Sequence, residues 1–135
     1  MSNSIKVWWR IFLVLGLLAL GAPTILAQEP PSDQPPANVA GNWTFYTKGE
    51  DGRTDTKHVE LKQDGGKLSG HFKGPNQSGG IEGTVEGRHI VFKTKTRNVF
   101  TFRGQADGDS MHGTFGIFLP RRGLMHGEWE ARRSQ

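Results

Sequence analysis

Residues 81–92 read IEGTVEGRHIVF and residues 102–113 read FRGQADGDSMHG, and both stretches place a glycine between runs of alternating apolar and polar residues. Gly66, Gly87 and Gly108 recur in such turns at 21-residue intervals. A two-residue turn that ends in glycine meets the positive φ that a tight hairpin requires. A unit of two strands and two turns, repeated at constant length, predicts an antiparallel meander that can close on itself.

The alternation continues with period two from residue 41 to residue 132, which predicts strands and no helix. Closure into a barrel would remove the exposed sheet edges that seven short connections otherwise leave. We therefore predict an all-β fold, an eight-stranded antiparallel up-and-down β-barrel, with its longest loop at 74–79. The predicted strands are 41–48, 55–63, 67–74, 80–85, 88–95, 98–106, 110–118 and 123–132.

The register that these turns predict places glycines opposite large apolar residues. Glycine in a strand costs conformational entropy, but in a small barrel it gives space to large side chains and allows sharp coiling. A register displaced by one residue would exchange the two faces, so the inward set is strongly specified. The predicted partners are Gly83 with Ile90, Ile81 with Phe92, Gly104 with Met111, Phe102 with Gly113, Phe115 with Gly127 and Gly113 with Trp129.

The face predicted to point into the barrel is almost purely apolar, with Thr47 and Thr94 as its polar exceptions. Besides strand glycines, its apolar members are Trp43, Phe45, Val59, Leu61, Leu68, Phe72, Ile81, Val85, Ile90, Phe92, Phe100, Phe102, Met111, Phe115, Ile117, Met125, Trp129 and Ala131. These side chains either fill the lumen or line a pocket for one small apolar ligand, which eight strands can just accommodate. The sequence leaves both interpretations open. The residues predicted to contact a ligand in the lumen or at its rim are Trp43, Tyr46, Phe72, Phe92, Phe102, Phe115 and Trp129.

The predicted outer face carries the charged residues and all five histidines. Metal sites need ligands that converge, and these histidines are spread over five strands, so no metal is expected. One basic cluster is a candidate site for an anionic glycan or lipid head group, although charges on exposed strands also act against aggregation. This possible anion patch consists of His89, Lys93, Lys95 and Arg103, with His89 predicted to face Arg103 across a hairpin.

Catalysis is not expected from this chain. The predicted lumen presents no acid or base, and no G-x-S-x-G elbow occurs. No helix is predicted, so the chain offers no glycine loop before a helix of the kind that binds phosphate. We therefore predict a protein that is not an enzyme and holds no cofactor. Removal of the leader with Lys6 and Arg10 would lower the net charge from +4 to +2, which gives no indication of a nucleic-acid partner.

Residues 1–27 have the order of a secretory signal peptide, with a basic start, an aliphatic run from Ile11 to Leu20 and a small residue, Ala27, at the expected cleavage site. Retention of this segment as an uncleaved anchor is the alternative. Residues 28–38 carry four prolines and read as a disordered linker, and residues 39–135 as a single barrel domain. The chain has no cysteine, so the exported body, periplasmic or secreted, is held by its core alone.

Short motifs at both ends of the predicted barrel resemble the calycin-type barrels. They are the opening Gly41-Asn42-Trp43, the third-strand sequence LSGHF at 68–72, FRGQ within the sixth strand, and the closing WEAR at 129–132. The chain is also similar to short secreted bacterial β-barrel modules of unsettled function. The resemblance implies that Trp43 packs against Arg132 at the closed end. The tryptophans with which avidins contact biotin are replaced here by Ile90, Phe92, Phe100 and Phe102.

These observations predict an exported, non-enzymatic binding module for a small apolar ligand or an envelope protein partner, monomeric or weakly oligomeric. Two alternatives stay open. The chain resembles bacterial protease inhibitors with an extended N-terminal segment, so the linker is a candidate for insertion into a protease. The barrel is otherwise a structural envelope protein whose lumen is filled by side chains.

Overall fold

The computed structural model describes residues 34–135, so the predicted signal peptide and most of the predicted linker lie outside the described residues. The described part contains no helix, and its eight antiparallel strands close into a barrel in chain order, with the last strand paired to the first. The predicted fold class is confirmed. The strands are β1 (Gly41–Gly49), β2 (Thr54–Asp64), β3 (Lys67–Lys73), β4 (Ser78–Glu86), β5 (His89–Lys95), β6 (Phe100–Asp107), β7 (Ser110–Leu119) and β8 (Gly123–Arg133).

The two ends of the barrel differ. One end, here called the turn end, has the two-residue turns 65–66, 87–88 and 108–109. The opposite end, here called the mouth, has the loops 50–53, 74–77, 96–99 and 120–122. The predicted loop 74–79 is shorter than expected because β4 already begins at Ser78. The longer loops of the mouth leave an opening, whereas the tight turns hold the other end closed.

Among the predicted strand registers, that of β7–β8 agrees with the structure, and those of β4–β5, β5–β6 and β6–β7 differ from it. In the β7–β8 hairpin, Phe115 pairs with Gly127 and Gly113 pairs with Trp129, as predicted. The predicted registers of β4–β5 and β6–β7 are wrong by two residues. Because a displacement of two residues keeps each side chain on its face, the inward and outward sets are preserved. Gly83 pairs with Phe92 and not with Ile90, Ile81 with Thr94, Gly104 with Gly113 and not with Met111, and Phe102 with Phe115.

The position of glycine in the turns explains this displacement. Gly87 and Gly108 are the first residues of their two-residue turns, not the last, and they carry the positive φ, 57° and 63°. In the β2–β3 turn the positive φ belongs to Gly65, not to Gly66. A turn moved one residue along the chain moves each cross-strand pair by two, which accounts for the error.

Aromatic rings fill the middle of the barrel. The Phe102 ring is fully buried and lies 4.9 Å from the Phe92 ring, 5.5 Å from Phe45, 5.8 Å from Trp129 and 5.9 Å from Phe115, between centroids. Burial of each large apolar side chain contributes roughly 1.5–3 kcal/mol. The buried set also includes three residues absent from the prediction, Val39, Lys57 and Ala106.

Two facing glycines make room for the Trp129 indole. A Cβ at Gly104 would lie 2.7 Å from Trp129 Cζ2, and a Cβ at Gly113 would overlap the Arg103 carbonyl oxygen. The indole Nε1 instead donates hydrogen bonds to the carbonyl oxygens of Thr114 at 2.9 Å and Arg103 at 3.2 Å. Glycine is required here because the backbones and the indole approach so closely.

At the turn end, Arg133 covers the ring of Trp43 at 4.4 Å from the ring centroid. Its guanidinium donates to the carbonyl oxygens of Asn38, at 3.0 Å, and Ala40. The arginine that the resemblance implied, Arg132, is the wrong one. Arg133 is the residue opposite Trp43 in the β1–β8 register and shares its face, whereas Arg132 is exposed on the outer face.

The last residues of the predicted linker are attached to the turn end. The Ala37 amide donates to the Gly87 carbonyl at 2.7 Å, and the Gln63 side chain donates to the Ala37 carbonyl at 2.9 Å. Gln63 also accepts a hydrogen bond from the Val39 amide at 2.8 Å. The ordered unit therefore begins before residue 39, because β2 supplies a side chain that binds the incoming backbone.

Candidate functional site

A cavity of about 290 Å³ opens at the mouth, above the aromatic rings that fill the middle of the barrel. Three residues predicted to point inward, Phe100, Ile117 and Met125, are only partly buried because they line this cavity. The lumen is therefore filled by side chains in one part of the barrel and open as a cavity in another. Side chains fill it from the turn end to the middle, and a space lined by both apolar and polar side chains remains at the mouth.

Hydrogen bonds join the segments around the mouth in two pairs. The Gln77 amide of the 74–77 loop donates to the Asn98 carbonyl at 2.6 Å and accepts from the Asn98 amide at 3.0 Å, which joins it to the 96–99 loop. Across the mouth, the Glu50 amide donates to the His126 carbonyl at 2.9 Å, which joins the 50–53 loop to β8. The cavity lies between these two tied pairs, so its walls are held in place from both sides.

Lys57 is the one buried charged side chain among residues 34–135, with 2% of its surface exposed. Its Nζ donates a hydrogen bond to Thr47 Oγ1 at 2.7 Å and lies 5.1 Å from the centroid of the Phe100 ring. The nearest carboxylate oxygen, on Asp55, is 3.8 Å away, and that side chain is 56% exposed. The ammonium thus has one short hydrogen bond and a distant, solvated counter-ion.

The environment of Lys57 disfavours its charge. Burial lowers the pKa of the Lys57 ammonium, and the Asp55 carboxylate opposes this shift only in part. An ammonium carries three donors, and the Thr47 hydroxyl accepts from one of them. Since Lys57 also lines the cavity, an anionic group that enters from the mouth would supply acceptors to the remaining donors.

Lys57 corrects the prediction that the lumen presents no acid or base. The signal was in the alternation itself, because Lys57 has the same parity as the buried Val59 and Leu61 in β2. The sequence reasoning placed every charged residue outside the barrel. A long side chain near a barrel end can extend its charged group toward the opening, so inward parity and charge are compatible there.

Cations dominate the rim of the cavity. Arg53, Arg97 and Arg122 line it from three different loops, and Asp51 and Asp55 are the carboxylates that line it among the described residues. Arg53 contacts Asp51 at 3.6 Å. With Lys57 included, the lining has an excess of positive charge, which favours anionic ligands.

The residues predicted to contact a ligand separate into three groups. Phe72 and Phe115 line the mouth cavity. Trp43, Phe92, Phe102 and Trp129 are buried below it, in the filled part of the barrel. Tyr46 lies on the outer face and is 45% exposed, over a shallow groove formed with residues of β2, β7 and β8.

The possible anion patch is arranged differently from the prediction. Arg103 lies opposite Val91, and His89 lies opposite Gln105, so His89 and Arg103 do not face each other. The β5–β6 register is therefore also displaced by two residues from the prediction. Lys95 contacts the Glu82 carboxylate at 3.8 Å, and Lys93 lies opposite Glu82 in the β4–β5 pair, so acidic charge lies within the patch.

Within residues 34–135, no three histidine, aspartate or glutamate side chains lie together as a metal site. None of the described segments is a helix of the length and hydropathy that a membrane span requires.

The chain matches no protein-family model. No curated protein matches it either. Among solved structures it is similar to a redesigned β-barrel, with a TM-score of 0.59 and 14% sequence identity over 72% of this chain and 92% of that one. A likeness at this level of identity shows the fold alone.

Proposed function

We propose that this protein is an exported binding module that holds a small amphiphilic anion in the mouth cavity, without chemistry. The observation that carries the proposal is the buried Lys57 ammonium in a cavity that combines apolar side chains with a mainly cationic rim. The anionic group of the ligand would meet Lys57 and the arginines of the rim. Its apolar part would pack on Phe100, Phe115 and Ile117.

The volume of the cavity supports a ligand of limited size. Its volume of about 290 Å³ lies at the lower limit of small-molecule sites, which begin near ~300 Å³. With ~30 Å³ for each water-sized group, the space suits a ligand of about ten non-hydrogen atoms. A medium-chain carboxylate has this size and combines an apolar chain with one charged end.

Two sequence features support the cellular context of the proposal. The basic start, aliphatic run and Ala27 of residues 1–27 match a secretory signal peptide, which would deliver the barrel to the periplasm or the exterior. The resemblance to calycin-type barrels implies a barrel scaffold. Both features are compatible with a small-molecule carrier or scavenger outside the cytoplasm.

A matched pair of ligands tests the proposal. Decanoate and decanol share a chain length and differ in charge, and each can be measured by its displacement of anilinonaphthalene sulfonate fluorescence. We expect decanoate to bind more tightly than decanol. We expect Lys57→Met to lower decanoate affinity at least about tenfold, because a hydrogen bond to a charged group contributes roughly 1.5–3 kcal/mol.

Lys93→Met is the matched control, since it removes a cation from the exposed outer face. It should leave both affinities unchanged. Equal binding of decanoate and decanol by the wild-type protein, or an equal loss in both variants, would refute the role assigned to Lys57. Absence of binding by either ligand would refute the proposed function itself.

A further inference from the structure

Three exposed hydrophobic side chains form a row on the outer face at the mouth. Phe118 is 60% exposed and lies opposite Leu124, which is 58% exposed, across the β7–β8 hairpin. Val99, 44% exposed, precedes Phe100, whose partner on β7 is Ile117, so it continues the row beside Phe118. Neighbouring large apolar side chains on a polar surface mark an interaction site more often than scattered ones do.

The loops beside this row carry cations without carboxylates. The 96–99 loop contains Arg97, and the 120–122 loop contains Arg121 and Arg122, and neither loop has an acidic residue. No ion pair within 34–135 engages these three arginines. The apolar row is therefore flanked by positive charge that no carboxylate of residues 34–135 pairs with.

We propose that this surface, the mouth patch, docks the barrel on an anionic lipid bilayer. The mouth patch consists of Val99, Phe118 and Leu124 with Arg97, Arg121 and Arg122. Apolar side chains enter the interfacial region of a bilayer while adjacent arginines reach the phosphate groups of anionic lipids. Both kinds of side chain lie together at one end of the barrel, as this mode of binding requires.

The extent of the patch favours a bilayer over a protein partner. A specific protein interface buries at least about 1,000 Å² with a packed apolar centre. The mouth patch has three apolar side chains in one row beside a hairpin tip, which is too little for such a centre. Insertion into a lipid interface needs no complementary surface, so a narrow, protruding row is sufficient.

Docking would also orient the cavity. Arg122 belongs to the mouth patch and lines the mouth cavity, so a barrel bound through the patch holds its opening beside the lipid head groups. This orientation goes beyond the proposed function and does not depend on it. An amphiphile would pass between bilayer and cavity over a short path.

A site-directed label tests the proposal cleanly because the chain has no cysteine of its own. The variants Pro120→Cys, at the hairpin tip, and Ser69→Cys, on the outer face of β3, each accept one environment-sensitive nitrobenzoxadiazole label. Both positions are exposed, so labelling leaves the core intact. The labelled full-length proteins are mixed with vesicles of phosphatidylcholine, with and without an equal part of phosphatidylglycerol.

We expect the label at position 120 to shift to shorter wavelength with the anionic vesicles only, and the label at position 69 to stay unchanged. Phe118→Ser combined with Leu124→Ser should abolish the shift. Arg121→Gln should lower the affinity for the anionic vesicles about fivefold, as read from the lipid concentration at half of the shift, since one cation near an anionic surface contributes about 1 kcal/mol. Added salt should weaken it further because the surface potential is screened.

Three results would overturn the proposal. They are no shift at position 120, equal shifts at positions 120 and 69, and a shift that survives the double serine variant. Decanoate affinity of the double variant, measured separately, should be unchanged, so failure here is distinguishable from failure of the proposed function.

Discussion

Replacement of the buried lysine by an unbranched apolar residue of similar volume should stabilise the protein. Lys57→Met removes the charge and keeps an unbranched side chain against Phe100. We expect the free energy of unfolding at neutral pH to rise by about 1 kcal/mol, because substitution of buried ions by apolar residues of similar volume is often neutral or stabilising by up to ~4 kcal/mol. In a barrel of this size, such a change raises Tm by roughly 4–8 °C.

The interactions lost with the ammonium oppose this gain. The hydrogen bond to Thr47 contributes roughly 1.5–3 kcal/mol. The ring contact with Phe100 contributes about 1–2 kcal/mol. The ion pair with the half-solvated Asp55 contributes less than about 1 kcal/mol. The lowered pKa of Lys57 means that desolvation outweighs these interactions for the charged form of the lysine. Methionine has no charge to desolvate, so we expect the balance to favour the substitution.

The substitution also leaves no orphaned polar group. The Thr47 hydroxyl, which accepts from Lys57, itself donates to the Asp55 carbonyl oxygen at 3.3 Å. That hydrogen bond persists in Lys57→Met. The usual penalty for breaking a buried polar network, an unpaired partner, is therefore avoided here.

The pH dependence gives a second, independent readout. The pKa of Lys57 is lower in the folded protein than in the unfolded chain, where it is about 10.4. Between these two values the unfolded chain binds more protons, so stability rises with pH through this window. At pH values below the pKa of Lys57 in the folded protein, the burial of its ammonium lowers the free energy of unfolding by the full amount. This rise should be present in the wild-type protein and absent from Lys57→Met.

Urea unfolding followed by the fluorescence of Trp43 and Trp129 measures both quantities. Lys93→Met serves as the control, since loss of an exposed lysine should change stability by less than about 0.5 kcal/mol and leave the pH profile as it is. If Lys57→Met lowers stability by 1 kcal/mol or more, or keeps the wild-type pH profile, the ammonium is well compensated and our account of it is wrong.

Three further substitutions test the packing. Gly113→Ala should destabilise the barrel by at least about 2 kcal/mol because its Cβ would overlap a neighbouring carbonyl, whereas Gly116→Ala, with its nearest atom at 3.7 Å, should cost less than half as much in urea unfolding. Arg133→Met should lower Tm by exposing the turn end, while Arg132→Met on the outer face should change it little in the same thermal scan. Phe102→Ala should cost roughly 3–5 kcal/mol, and a value below 1 kcal/mol by calorimetry would contradict the central position of this ring.

The alternation of residue types was sufficient to predict the fold and the faces of the strands. Because side chains on a strand alternate strictly, Phe92 and Phe102 could be placed inside without knowledge of their partners. The register was not accessible in the same way. It depends on which turn residue takes the positive φ, and in Glu86-Gly87-Arg88 the glycine can occupy either turn position by composition alone.

The candidate site was less predictable for a related reason. Phe72 and Phe115 were expected at a ligand site and do line the cavity, but Lys57 was overlooked although its parity pointed inward. Composition alone ranks lysine among the residues least often buried. A charged side chain that points inward can reach the mouth only if its residue lies near that end of the barrel. The position of a residue between the two ends follows from the strand register, which the sequence did not determine.

The division of the barrel into a filled part and an open part explains why a poorly compensated cation is tolerated. Tight turns and the Trp43–Arg133 closure fix the turn end, and the aromatic rings around Phe102 contribute burial energy that does not depend on the mouth. The stability of the rest of the barrel therefore allows the mouth to contain the buried Lys57, although its nearest carboxylate, on Asp55, is exposed to solvent. Lys57 lowers the stability of the fold and lies at the surface of a cavity. Since an apolar residue would support the fold equally well, a ligand that enters the cavity explains this lysine better than a structural role does.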